Sequence, residues 1–130
     1  MFELKVKDKI IPLKWGTWAM YEFSKEKGSI NERGDKVPLS MNDYFKLLSS
    51  PNVDLSNIIS FISIGYRSAC VSNKTQLEYT EAEVYDWLDE IGGILDSNGQ
   101  VMEYMKYIVS ETVVLLSKKQ EVKEVGKKKG

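Results

Sequence analysis

The sequence predicts an α+β fold that is mostly α: an N-terminal β-hairpin, about five helices and a disordered basic C-terminal tail. Apolar residues alternate with charged ones at the N-terminus, as in a half-buried strand, and recur every three or four positions further on, as in helices. Lysines then dominate the last residues. A chain of 130 residues suits one domain with its own core. We therefore predict a single helical domain at 1–117 and a flexible charged tail at 118–130.

The hairpin is predicted from two short apolar runs. Phe2, Leu4 and Val6 alternate with charged residues, and a second run spans 10–13. A tight turn at Lys7-Asp8 would join the runs, although this dipeptide is not among the favoured two-residue turns.

Two helices are predicted between the hairpin and the middle of the chain. The first spans 18–27 and ends at Gly28. The second spans about 41–48 and follows Ser40, which begins a motif resembling a capping box. The polar stretch 31–38 between them has no periodicity and is predicted to be a surface loop.

The next helix is predicted to be central. Asp54 can cap it, and one continuous apolar face follows, formed by Leu55, Ile58, Ile59, Ile62, Tyr66 and Ala69. Phe61 and Ile64 lie off this face, so the helix is apolar on two sides, as central helices usually are.

Two further helices are predicted. Thr80 and Glu83 form a capping box before a helix that ends at Gly92. The last helix, over 101–116, carries an apolar stripe formed by Met102, Met105, Val109, Thr112 and Leu116.

Charge is unevenly distributed. The tail has six lysines and two glutamates, a net charge of +4, whereas the rest of the chain has twelve basic and seventeen acidic residues, a net charge of −5. The tail could contact nucleic acid, but no arginine or aromatic residue is interleaved with its lysines, which favours a solvated, disordered end.

The composition argues against an enzyme. The chain has no histidine, which is the commonest general base and metal ligand. We predict no catalytic residues, no metal site and no cofactor. Glu83, Asp86 and Glu90 could bind a cation or a basic partner, but helix-dipole complementarity and solvation account for them more simply.

The expected compartment is the cytoplasm. Cys70 is the only cysteine, so no intrachain disulfide can form, and we expect it to be buried as a small hydrophobe. The N-terminal alternation differs from a secretory signal, and no apolar run is long enough to span a membrane.

The remaining candidates are side chains that could bind another protein: Trp15, Trp18, Phe61, Ile64, Tyr104 and Tyr107. The two tryptophans bracket the junction between hairpin and helix, and tryptophan is enriched in interface hot spots. Phe61 and Ile64 form the outer row of the central helix, and the two tyrosines form a second row on the last helix. Ordinary core packing is the alternative for each.

The order of these elements resembles the phage tail assembly chaperones over nearly the whole chain. The matching positions are the hairpin Phe2 to Lys14; Gly16, Ala19, Phe23 and Gly28 in the first helix; the helix from Asp54-Leu55 to Tyr66; and Tyr79, Thr80, Glu83, Val84 and Leu88. The longer loop at 31–38 and the insertion-like segment 71–78 depart from the family pattern.

The resemblance implies a non-enzymatic role. Family members bind the helical tape-measure protein before the tail-tube protein polymerises around it, act in the bacterial host cytoplasm, and are absent from the finished virion. Two alternatives remain open: a nucleic-acid accessory protein that uses the basic tail, and a head-to-tail connector subunit. Self-association is left open, and no membrane partner is expected.

The family also suggests a longer product. In some members a fraction of ribosomes shift frame near the end of the gene and add an extension that recruits tail-tube subunits. The run Gly126-Lys127-Lys128-Lys129-Gly130 is what an adenine-rich slippery sequence would encode. A lysine run is also a common solubilising end.

Overall fold

The alternating N-terminal segment folds into the predicted antiparallel hairpin in the computed structural model, which describes residues 1–49 and 54–129 and, in the last helix, side chains only through Ser117. Strand β1, Phe2–Val6, pairs with β2, Lys9–Leu13, in a register that places Leu4 opposite Ile11. The alternation buries one face of the hairpin, formed by Leu4, Val6, Ile11 and Leu13.

Five helices follow in the described part of the chain: α1 Thr17–Glu26, α2 Met41–Ser49, α3 Leu55–Asn73, α4 Glu81–Ile91 and α5 Gln100–Lys129. The mostly helical α+β fold class is therefore confirmed. The predicted capping box at the start of α4 forms, and the Glu83 carboxylate accepts a hydrogen bond from the Thr80 N–H at 3.2 Å.

Helix α3 is the central helix, as predicted. The Asp54 side chain caps it by accepting a hydrogen bond from the Ser56 N–H at 2.8 Å. The hairpin lies against one side of α3, where the Lys14 N–H donates to the Gly65 carbonyl at 3.0 Å. Helix α1 packs against α3 as well, and nearly every residue of α3 from 58 to 70 is buried.

The segment predicted as a surface loop at 31–38 forms part of a second small hairpin. Strands β3, Ser29–Ile30, and β4, Lys36–Val37, pair antiparallel. The Asn31 side chain accepts hydrogen bonds from the N–H groups of Arg33 and Asp35, both at 2.9 Å, and Gly34 adopts a φ of +85°. All of 31–38 is exposed, so the surface position predicted for this segment is confirmed. The loop prediction was wrong only for Lys36–Val37, because an asparagine turn and a left-handed glycine close the chain into a hairpin without apolar periodicity.

The start of α5 is joined to the first strand. The Lys5 N–H donates to Gln100 Oε1 at 2.6 Å, and Gln100 Nε2 donates to the Lys5 carbonyl at 2.8 Å. The glutamine side chain thus satisfies both backbone groups of one residue on the free edge of β1, where unpaired groups would otherwise need water.

The backbone of α5 is helical past the predicted boundary at 117 and continues to Lys129. Side chains beyond Ser117 are outside the described residues. The predicted disorder of the tail at 118–130 falls on those residues and stays a prediction.

Candidate protein-binding surface

The central helix does not present the predicted outer row. Phe61 is 2% exposed and Ile64 is 0% exposed, because the hairpin and α1 cover the second apolar side of α3. Phe61 stacks on Phe23 of α1 with ring centroids 4.4 Å apart. The prediction that this row is a contact surface was therefore wrong for the folded chain: both residues belong to the core.

Tyr104 is also a core residue. Its hydroxyl donates to the Phe61 carbonyl at 2.7 Å, and its ring lies where α5 crosses α3 at Gly65. A Cβ atom at Gly65 would come within 2.0 Å of the Tyr104 hydroxyl, so only glycine permits this approach. Burial raises the pKa of Tyr104 well above its usual value, so the phenol is a neutral hydrogen-bond donor at physiological pH.

Trp15 is buried in a polar contact that links three elements. Its Nε1–H donates to the Tyr44 hydroxyl of α2 at 2.9 Å, and that hydroxyl lies 3.1 Å from Thr112 Oγ1 of α5. Burial is also the largest cause of the raised pKa of Tyr44, whose phenol is neutral at physiological pH. These groups hold the fold together and provide no acid or base near neutrality.

The last two candidates, Trp18 and Tyr107, differ in their surroundings. Trp18 is 37% exposed on the outer side of α1, next to exposed Tyr21. Tyr107 is half-buried against Phe2 and Tyr104, and its hydroxyl accepts a hydrogen bond from the Trp15 N–H at 3.4 Å. The structure therefore does not bring the six predicted residues together into one surface.

The exposed apolar surface lies instead on α5. The stripe that α5 buries is Val101, Tyr104, Ile108 and Thr112. The predicted stripe faces outward except for Thr112: Met102 and Met105 are half-buried, and Val109 and Leu116 are exposed. The two stripes are adjacent on the helix, and the sequence pattern identified the outer one.

An open apolar groove of about 490 Å³ runs beside this outer stripe. One wall is Leu48 at the end of α2, and another is the turn before α5, where Leu95 is 75% exposed. We call it the α5 groove, lined by Leu48, Leu95, Ser97, Met102, Met105, Lys106, Val109 and Ser110.

The apolar character continues along α5 past the groove. Val109, Val113 and Leu116 are exposed at positions four and three residues apart, which places them on one side of the helix. Lys106 is the charged residue of the groove lining, and its ammonium pairs with the Glu103 carboxylate at 3.3 Å. The arrangement can bury apolar side chains of a partner while leaving this charge at the rim.

A second cleft is more polar. It lies between the hairpin turn and the acidic side of α4, where Lys7 pairs with Glu90 at 3.3 Å. That ion pair is exposed, so it is typical of a solvated surface. The buried position predicted for Cys70 is confirmed.

Sequence reasoning missed Leu48 and Leu95 as surface residues. Both lie at the ends of elements, where periodicity no longer indicates which face is covered. The two methionines on one stripe were the available signal, since methionine is common at adaptable binding surfaces.

Among the side chains that the structure describes, those of 1–49 and 54–117, no three His, Cys, Asp or Glu residues are arranged to hold a metal ion. The described helices include none that is both long and apolar enough to cross a membrane. Comparisons with protein-family models, with curated proteins and with solved structures found no match to this chain.

Proposed function

We propose that this chain is a non-enzymatic phage tail assembly chaperone. It binds the tape-measure protein in the bacterial host cytoplasm, recruits the tail-tube protein through an extended form, and is absent from the mature virion. The observation that carries the proposal is the α5 groove together with the exposed apolar row that extends from it.

The shape and chemistry of the groove suit a helix. An amphipathic helix places apolar residues three and four apart, which matches the spacing of Val109, Val113 and Leu116. A tape-measure chain is long and helical, and its apolar stripes would aggregate if left uncovered before the tube assembles. Covering one such stripe is a task for a small domain with an open apolar groove.

The methionines support binding to many similar segments. Met102 and Met105 pack against the core and line the groove, so part of each side chain is open to a partner. Flexible thioether chains adapt to partner side chains of different shape. A chaperone that covers successive stretches of one long helix needs this tolerance.

The proposal is tested by co-expressing the chain with the tape-measure protein of the same genome and measuring soluble complex. Val109→Asp places a charge on the apolar row and should weaken capture roughly tenfold to a hundredfold, the range expected when an interface contact is replaced by a desolvated charge. Val71→Asp is the matched control, since Val71 is a similarly exposed helical valine on α3, 54% exposed against 41% for Val109.

Equal capture by both variants would rule out the α5 groove as the binding surface. Detection of the chain in purified virions would favour the connector alternative. Capture of nucleic acid that weakens steeply with salt, without capture of the tape-measure protein, would favour the nucleic-acid alternative.

A further inference from the structure

Helix α2 is held to the domain mainly by one side chain. Tyr44 is the only buried residue of its nine, while Leu47 and Leu48 are half-buried against the core. Met41 and Phe45 are exposed large hydrophobics. Isolated helices of this length are not stable in water, so α2 depends on its contacts with the core.

The Tyr44 side chain is inserted among residues of other elements. Its ring meets Phe23 edge to face with centroids 6.2 Å apart, and its hydroxyl joins Trp15 Nε1 at 2.9 Å and Thr112 Oγ1 at 3.1 Å. If α2 moved away, an aromatic pocket formed by Phe23, Trp15 and Phe61 would open, with two polar groups at one side.

That pocket would join the α5 groove. Leu48 of α2 forms one wall of the groove, and Thr112 of the pocket lies between Val109 and Leu116 in α5. Displacing α2 would therefore merge the two into one channel along α5. The chain before α2 is anchored, since the Leu39 N–H donates to the Ser24 carbonyl at 2.9 Å, so Ser40 is the natural hinge.

We propose that α2 is a displaceable lid, and that the partner helix replaces it by presenting a tyrosine followed three and four residues later by leucine-like side chains. This is the pattern of Tyr44, Leu47 and Leu48 in α2 itself. Tyrosine is preferred over phenylalanine because the Trp15 Nε1–H needs an acceptor once it is buried again. The identity of the partner rests on the proposed function, whereas the displacement of α2 does not.

The experiment uses a labelled synthetic peptide of residues 39–49 and the full-length Tyr44→Ala chain, whose own lid lacks the anchoring ring. Fluorescence anisotropy should give binding at least tenfold tighter to Tyr44→Ala than to the wild-type chain, where α2 occupies the site. The same peptide with phenylalanine at position 44 should bind roughly threefold to tenfold more weakly, the value of one hydrogen bond. A peptide with alanine at that position is the negative control.

Absence of peptide binding to a folded Tyr44→Ala chain overturns the proposal, as does equal binding of the alanine peptide. If Tyr44→Ala does not fold, hydrogen exchange on the wild-type chain tests whether α2 opens independently of the rest of the domain. Amides of α2 that exchange at least a hundredfold faster than those of α3, with a weaker dependence on low urea, support a local opening. Equal rates and equal urea dependence overturn it. No tape-measure protein is used, so failure here leaves the test of the proposed function intact.

Discussion

At the scale of single residues, the crossing of α3 and α5 depends on Gly65. The absence of a Cβ allows the Tyr104 hydroxyl to reach the Phe61 carbonyl, which turns a buried polar group into a hydrogen-bonded one. The sequence shows a glycine inside a predicted helix, but its partner is 39 residues away in another helix. No local pattern connects them.

Gly65→Ala should destabilise the fold by about 1–3 kcal/mol, because the new methyl group overpacks the crossing and displaces the tyrosine hydroxyl. The free energy of unfolding from urea denaturation measures the effect. Adding Tyr104→Phe to Gly65→Ala should restore part of the loss, since it removes the atom that clashes. A double variant that is no more stable than Gly65→Ala would contradict this.

The aromatic candidates also show that local sequence does not reveal contacts between distant residues. Tryptophan, phenylalanine and tyrosine are rich in both cores and interfaces, so residue type alone does not distinguish the two. Trp15 and Phe61 became core residues because Phe23 from α1 packs against both rings. That contact is a property of the tertiary fold.

At the scale of elements, local signals predicted well. The N-terminal alternation, the Asp54 cap and the Thr80–Glu83 capping box each depend on neighbours a few residues apart, and each is present. The sequence pattern did not show which face α5 buries. Two adjacent stripes, Val101-Tyr104-Ile108 and Met102-Met105-Val109, are both apolar at helical spacing, and the first is the buried one. The first stripe is buried because Tyr104 packs against Gly65 and Phe2, which are distant from it in sequence.

The β3–β4 hairpin depends on a close approach between Gly28 and Val37, which can be tested by substitution. Gly28 was assigned to end α1, but a Cβ there would also lie 2.0 Å from the Val37 carbonyl of β4. Gly28→Ala should therefore shift the β3–β4 pairing and cost about 1–3 kcal/mol.

Gly16→Ala is the control for that change, since its Cβ would meet nothing closer than Lys14 Cε at 3.8 Å. We expect it to alter stability by less than about 1 kcal/mol. Amide chemical shifts of 29–37 and urea denaturation measure the two variants, and unchanged shifts in Gly28→Ala would refute the close approach.

At the scale of the whole molecule, the composition favoured a binding protein, and the α5 groove is the surface on which we base that proposal.

The longer product that a ribosomal frameshift would give is tested in the nucleotide sequence. The codons for 127–129 should give six or more consecutive adenines, with an open second frame downstream, because lysine is encoded by AAA and AAG. Interruption by AAG codons, or early closure of the second frame, would leave the lysines as a solubilising end.

The bond between Lys5 and Gln100 has a consequence for synthesis on the ribosome. The free edge of the first strand receives its partner from the start of the last helix, and Phe2 is covered by Tyr104 and Tyr107 of that helix. The nascent chain therefore cannot complete its core until α5 has left the exit tunnel. Strand β1 is synthesised first, but its burial is completed only when the last helix has emerged. Folding of the domain is therefore complete only after α5 has emerged, and α5 is also the helix that lines the α5 groove.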